Sequence, residues 1–293
     1  MDPWPHIERS IREASGAPFN IESRAGAGGG CINECHVIRG QGRAFFVKIN
    51  APDKADMFSA EAAGLEEIGR TKTVRVPQPV CYGTCLAASW IVLEHLDLRA
   101  ANQKGLRILG RNLARLHRVT GARYGWDRDN TIGSTPQVND PADDWIAFWR
   151  DRRLGYQLKL AASRGYGGRL VGAGERLLEK LPFFLAGYAP PPSLLHGDLW
   201  SGNIAMDARG EPVIYDPAVY YGDREADLAM TELFGGFPAS FYEAYGQEYP
   251  LDAGYETRKH LYNLYHVLNH LNLFGSGYGA RAERMIERLL AAA

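Results

Sequence analysis

The 293 residues balance 33 Lys and Arg against 34 Asp and Glu, for a net charge of −1, with 45% apolar and 23% charged residues. These figures describe an ordinary globular chain with room for one large domain or two lobes, and whole-molecule charge gives no case for nucleic acid or an anionic membrane as partner. No run approaches the roughly 18 uninterrupted apolar residues of a membrane span. The N-terminus, MDPWPHIERSIREASG, lacks a basic n-region and an apolar h-region, so no secretion signal is expected and the cytoplasm is the expected location. Cys31, Cys35, Cys81 and Cys85 form two CxxxC pairs, a spacing open to zinc. Cys31 lies in a glycine run and the other pair flanks a turn, so reduced thiols are the expectation.

Along the chain, the first third reads as β-rich. HVIRGQGRAFFVKIN predicts two strands joined through Gly40-Gln41-Gly42, and a helix follows from Asp53 to Gly69. Val74 to Val80 carries two prolines and suits an edge strand or a loop. Trp90 to Leu93 reads as a short buried strand. From Leu106 the period turns helical, with Leu109, Leu113, Leu116 and Val119 in phase, and helices are expected over Trp145–Leu160, Gly172–Leu181 and Thr257–Leu273. The one β-like interlude expected after that point is a hairpin over Asn203–Tyr215, turning at Ala208-Arg209-Gly210. The implied fold class is α+β: a small β-rich lobe, residues 1–95, and a larger, mostly helical lobe, residues 96–293.

Chemistry concentrates in LLHGDLWSGNIAMDARGEPVIYDPA. HGDLWSGN has the Asp-x4-Asn spacing of a phosphotransferase loop, short enough to turn both side chains into one cleft. Asp198 is the expected catalytic base, with Asn203 and Asp216 as oxygen ligands to Mg²⁺. Any one of these alone would more readily be a turn cap; the joint spacing favours function. His196 is expected to orient the loop. In the glycine run, Gly28, Gly29 and Gly30 are candidates to cover phosphates with backbone N–H groups. Lys48 sits in an apolar strand and needs a counter-charge for its ammonium. Glu61 is preferred over Glu66 and Glu67 for that role, and the pair would hold the α- and β-phosphates of ATP. The backbone of Glu94, His95 and Leu96 is placed to pair with an adenine edge. Trp200, beside the base, could stack on a sugar face or fill core. Asp223, with Glu225 and Asp227, could draw a substrate ammonium or brace the loop. Cys31 among glycine donors is a candidate redox-sensitive thiol. His260, His266 and His270 read as core or surface histidines rather than as a zinc site.

The segments HGDLWSGN, VIYDPA, YYGDREADLAMTELFGGF and WIVLEHLD together resemble the fructosamine kinase (ketosamine-3-kinase) family, within the protein-kinase-like bilobal fold shared with aminoglycoside phosphotransferases. The resemblance implies an N-terminal ATP-binding lobe and a C-terminal catalytic and substrate lobe. It also implies ATP- and Mg²⁺-dependent phosphorylation of the sugar 3-hydroxyl of ketoamines, free or on protein, followed by spontaneous release of the amine. DPA stands where a protein kinase has DFG, and only six residues separate Asp216 from Asp223, which suits a small hydroxylated acceptor. Another small-molecule kinase, acting on aminoglycosides, choline or homoserine, and a nucleotide-binding regulator without chemistry are the alternatives.

Overall fold

A computed structural model describes residues 2–28 and 32–293. The chain opens with helix α1 (Trp4–Ser15), then strands β1 (Ser23–Gly26), β2 (Glu34–Gly40) and β3 (Arg43–Asn50). Helix α2 (Ala55–Thr71) and strands β4 (Pro79–Thr84) and β5 (Ser89–Glu94) follow, and then α3 (Gln103–Leu116). Next come β6 (Asn130–Ile132), β7 (Thr135–Gln137), α4 (Trp145–Phe148), a π-helical segment over Trp149–Leu154, α5 (Gly155–Ser163) and α6 (Arg169–Leu185). Strand β8 (Ser193–Leu195), the hairpin β9 (Ile204–Met206) and β10 (Pro212–Ile214), and β11 (Tyr220–Gly222) precede α7 (Glu225–Leu233), α8 (Ala239–Glu248), α9 (Tyr255–Phe274) and α10 (Gly279–Ala292).

These elements form two compact units: residues 1–105 with 204–217, and residues 106–203 with 218–293. The expected division near residue 95 therefore differs from the observed one in two ways. The first unit runs on to Gly105, and it takes back the β9–β10 hairpin. Backbone pairing explains the return: Arg99 and Met206 exchange two hydrogen bonds, and Ile214 N–H donates to Arg75 O at 3.0 Å. Gly105 makes room for the hairpin, since a Cβ there would lie 2.0 Å from Met206 Sδ.

The first unit is built on an antiparallel sheet of order β1-β2-β3-β5-β4. Alternation along β3 sends Phe45, Val47 and Ile49 into a core with Ile38, Trp90, Val92 and, from α1, Ile7 and Ile11. That same alternation sends Lys48 to the opposite face, where α2 lies. Helix α1 is absent from the sequence expectation, because a segment with only Ile7 and Ile11 fully buried gives a short apolar stripe. The β2–β3 turn has Gln41 and Gly42 at φ 48° and 69°, the backbone of a two-residue hairpin loop. Gln41 tolerates it because its side chain is tied down, donating to Glu22 at 2.9 Å and accepting from Asn20 N–H at 2.6 Å.

The second unit is mainly helical, with α9 buried along most of its length. The expected helices appear, that over Trp145–Leu160 being interrupted by the π-helical turn. The expectation of a single β interlude is corrected: β6 pairs β7, and β8 pairs β11. Three-residue strands are too short for a period of two to register.

One close approach in the first unit is testable. A Cβ at Gly40 would lie 1.9 Å from the carbonyl oxygen of Asn20. Gly40→Ala should cost about 1–3 kcal/mol, as overpacking does, read as a lower urea midpoint at unchanged slope; an unchanged midpoint would contradict the packing described.

Candidate functional site

Lys48 carries the electrostatics of the first unit. The residue is 5% exposed, its Nζ donates to Glu61 Oε1 at 2.6 Å, and it also pairs with Asp216. Burial favours the neutral amine, but Asp216 and Glu61 outweigh it, so the ammonium is held above its ordinary range. Burial pushes the Glu61 carboxyl up, with Lys48 opposing. Glu66 and Glu67 bind Arg70 on the outer side of α2, which leaves Glu61 as the partner on the inner side. Asp216 stands at φ 57°, a left-handed conformation uncommon outside glycine. Its carboxylate is partly exposed while anchored to Lys48.

Around this centre, Gly28 has no atom within 4 Å of where a Cβ would sit, so its backbone is open to approach. Gly29, Gly30 and Cys31 lie outside the described residues. At the end of β5, Glu94 is already engaged: its N–H donates to Gln78 O at 2.8 Å and its carboxylate pairs with Arg75. The Glu94 N–H is therefore not available to pair with a base.

In the second unit the segment His196–Asn203 forms a tight loop. Gly197 has φ +84°, and a Cβ there would meet the Ala218 carbonyl oxygen at 2.0 Å, so glycine is required. His196 is fully buried and its Nδ1 accepts from the Asp198 N–H at 3.2 Å, an orienting role. Asp227 holds the loop from behind: its two oxygens accept from the N–H groups of His196 and Gly197, each at 2.8 Å. His117 Nε2 lies 3.1 Å from Asp227 Oδ2 and its Nδ1 lies 2.8 Å from the Tyr245 hydroxyl. Burial keeps His117 neutral, so the arrangement requires the proton on Nε2, with Tyr245 donating to Nδ1. Burial opposes the Asp227 charge, yet the hydrogen bonds from His117 and Gly197 hold its carboxyl below the usual range.

Asp198 and Asn203 are brought together. The Asn203 amide nitrogen donates to Asp198 O at 2.9 Å and lies 3.3 Å from Asp198 Oδ2, which turns the amide oxygen the other way. Asn203 Oδ1 and the Asp216 carboxylate are both hard oxygen donors. Each, in its own unit, is a donor of the type that Mg²⁺ prefers. Trp200 is 37% exposed; its ring lies over Gly202, where a Cβ would come within 2.3 Å, and edge-on to Phe234 at 6.1 Å.

Asp223 does not meet the expectation of a substrate contact. It is fully buried, accepting from Tyr188 at 3.0 Å, from the Glu225 N–H at 3.0 Å, and from Tyr262. Glu225 is likewise consumed by a two-point pair with Arg258 at 2.7 and 2.8 Å. The acidic run is a brace. His117, by contrast, escapes the sequence reading because nothing in LARLH marks its histidine as anything but helix end. His266 is buried, and its backbone oxygen lies 2.8 Å from His270 Nδ1.

The family model described as fructosamine kinase matches residues 3–292. A probable ketoamine kinase of Synechocystis sp. is 48% identical over 98% of this chain and 97% of its own length. A chloroplastic protein-ribulosamine 3-kinase of Arabidopsis thaliana is 44% identical over 97% of this chain and 88% of its own. Among solved structures, a Haemophilus somnus protein described as a candidate fructosamine-3-kinase matches at a TM-score of 0.90 and 31% identity, covering 97% and 96% of the two chains. At lower identity, choline and aminoglycoside phosphotransferases share the fold, so the kinase-like α+β class expected from the sequence is the observed one.

The buried Asp223 makes a pH prediction. Burial and the neighbouring Glu225 charge raise its carboxyl from 3.8 to about 7 against the pull of its hydrogen bonds. A carboxyl raised on folding stabilises fully below its unfolded value, and that contribution fades as pH climbs through the folded value. Melting temperatures taken from about pH 5 to about pH 8 should therefore fall more steeply for the wild type than for Asp223→Asn; parallel profiles would contradict this.

Proposed function

The chain belongs to the fructosamine kinase family, and on that premise we propose that it transfers the γ-phosphoryl group of ATP to the 3-hydroxyl of a ketoamine sugar. The observation that carries the reading is the buried Lys48 ammonium, bound by Glu61 and paired with Asp216. Such an ammonium is positioned to neutralise the α- and β-phosphates, with Glu61 fixing its direction. The first unit is accordingly proposed as the nucleotide-binding part. The backbone at Gly28 is proposed to cover the phosphates, and the segment from Glu94 through His95 and Leu96 to receive the adenine.

The second unit supplies the acceptor side. Asp198 accepts the proton of the attacking hydroxyl and aligns its oxygen, a role that needs a carboxylate held in one direction. Its N–H bond to His196 and the Asn203 amide supply that constraint. Asn203 Oδ1 and Asp216 would hold Mg²⁺, which offsets phosphate charge as the γ-phosphoryl group leaves. Trp200 offers an indole face to the apolar side of the sugar. Phosphate placed at C3 is allylic to the C1–C2 enaminol of the product, so that enaminol would expel phosphate to leave an imine, which water hydrolyses to free the amine, amounting to deglycation. Among the described residues no helix is long and apolar enough to cross a membrane, and a ketoamine on a small amine or on a protein is the proposed acceptor.

Incubation with MgATP and a set of fructose-, ribulose- and erythrulose-amines, followed by NMR, tests this. New phosphate is expected on the C3 oxygen, and Asp198→Asn should lower kcat by roughly 10²- to 10⁴-fold. Phosphate on another oxygen, ADP release with aminoglycosides or choline only, or full kcat in Asp198→Asn would contradict the reading.

A further inference from the structure

Behind the base loop lies a buried polar cluster that the proposed chemistry does not use. Gln137 closes β7 at 1% exposure, Asn130 opens β6 at 9%, and Asn139 and Arg153 are fully buried. The Gln137 amide nitrogen donates to Ala218 O at 3.0 Å and to Asn130 Oδ1 at 2.9 Å. Asn130 Nδ2 donates to the next carbonyl, Val219 O, at 2.8 Å. Asn139 Nδ2 donates to Asn130 Oδ1 at 2.9 Å, and Arg153 donates to Asn139 Oδ1 at 2.7 Å.

The donor and acceptor sense of this chain is forced. Arg153 can only donate, so Asn139 must present its oxygen to it and its nitrogen to Asn130. The Gln137 nitrogen faces two acceptors while its oxygen accepts from the Tyr265 hydroxyl at 2.8 Å, so a flipped amide would set oxygen against oxygen. The cluster thus ends on two consecutive main-chain carbonyls with its polarity fixed. Burying a guanidinium and three amides is costly compared with apolar filling; Arg153 Nε finds no partner, and what the hydrogen bonds of the cluster confer is a specified geometry.

Those two carbonyls adjoin the base. Ala218 N–H donates to His196 O at 2.8 Å, and Ala218 O presses against the Cα of Gly197, the residue before Asp198. Asp227 fixes the N–H groups of the loop; the amide cluster fixes the surface on which the loop rests. We propose that Gln137, backed by Asn130 and oriented by Tyr265, is a positioning residue for Asp198. By holding the Ala218 carbonyl it sets how Gly197 seats, and hence where the Asp198 carboxylate points. This inference rests on Asp198 being the base of the phosphotransferase reading.

The test compares Gln137→Met, which keeps length but removes both donors and the acceptor, with Tyr265→Phe, which removes only the hydroxyl that orients the amide. Displacing a reacting group by about 1 Å can cost 10²-fold, so Gln137→Met should lower kcat per folded molecule by about 10- to 100-fold. KM for ATP should stay within about twofold, since Lys48 and Glu61 belong to the other unit. Tyr265→Phe should lower kcat less, in the same direction, and it serves alone if Gln137→Met does not fold. Hydrogen exchange of the peptide spanning residues 194–199 should quicken in both, a readout that does not depend on the substrate. Unchanged kcat per folded molecule with unchanged loop exchange, or kcat and KM for ATP moving together, would overturn the proposal. A wild-type protein inactive on every ketoamine would instead sink the reading of function, and loop exchange would still decide whether Gln137 holds the loop.

Discussion

An ammonium group taken almost wholly out of water must be matched by negative charge, and the first unit is arranged to meet that demand at Lys48. Three sequence-distant elements converge for it. Alternation on β3 turns Lys48 away from the core that takes Val47 and Ile49, the phase of α2 delivers Glu61, and the returning hairpin delivers Asp216 in a left-handed conformation. One cation is matched there by two carboxylates, the arrangement on which the proposed nucleotide site rests.

The second unit sorts its acidic side chains by environment. Four acidic residues close in sequence meet four environments. Asp198 stays partly exposed, Asp227 is consumed by loop N–H groups and His117, Asp223 is buried against two tyrosines, and Glu225 is locked to Arg258. Of the four, Asp198 is the one proposed as the base. The same division runs through the loop itself, where Gly197 permits the close approach and His196 restrains the turn.

Much of this was legible in the sequence because it depends on short-range rules. The Asp198-to-Asn203 spacing closes a loop whatever surrounds it, and a lone lysine in FFVKIN must find an acid. The small residues around Glu61 follow helical phase, whereas the pairing of Glu66 and Glu67 with Arg70 is seen in the structure. What could not be read depends on tertiary environment. The exposure of Asp223 is set by Tyr188 and Tyr262, 35 and 39 residues away in sequence. Three-residue strands such as β6 and β7 are stabilised by Gln137 and Asn130 from within the core rather than by any pattern of their own. The hairpin at residues 204–217 joins the first unit through backbone bonds to Arg75 and Arg99, which side-chain periodicity does not record.

The most direct test of the Lys48 triplet is calorimetric titration with MgATP of the wild type and of a Lys48→Met, Glu61→Gln double variant, which leaves no orphaned charge on α2. A bound phosphate deprived of its buried ammonium should weaken the affinity by at least about tenfold, the equivalent of roughly 1.4 kcal/mol. Equal affinity in the two proteins would mean that the triplet is a structural brace and that the nucleotide is held elsewhere.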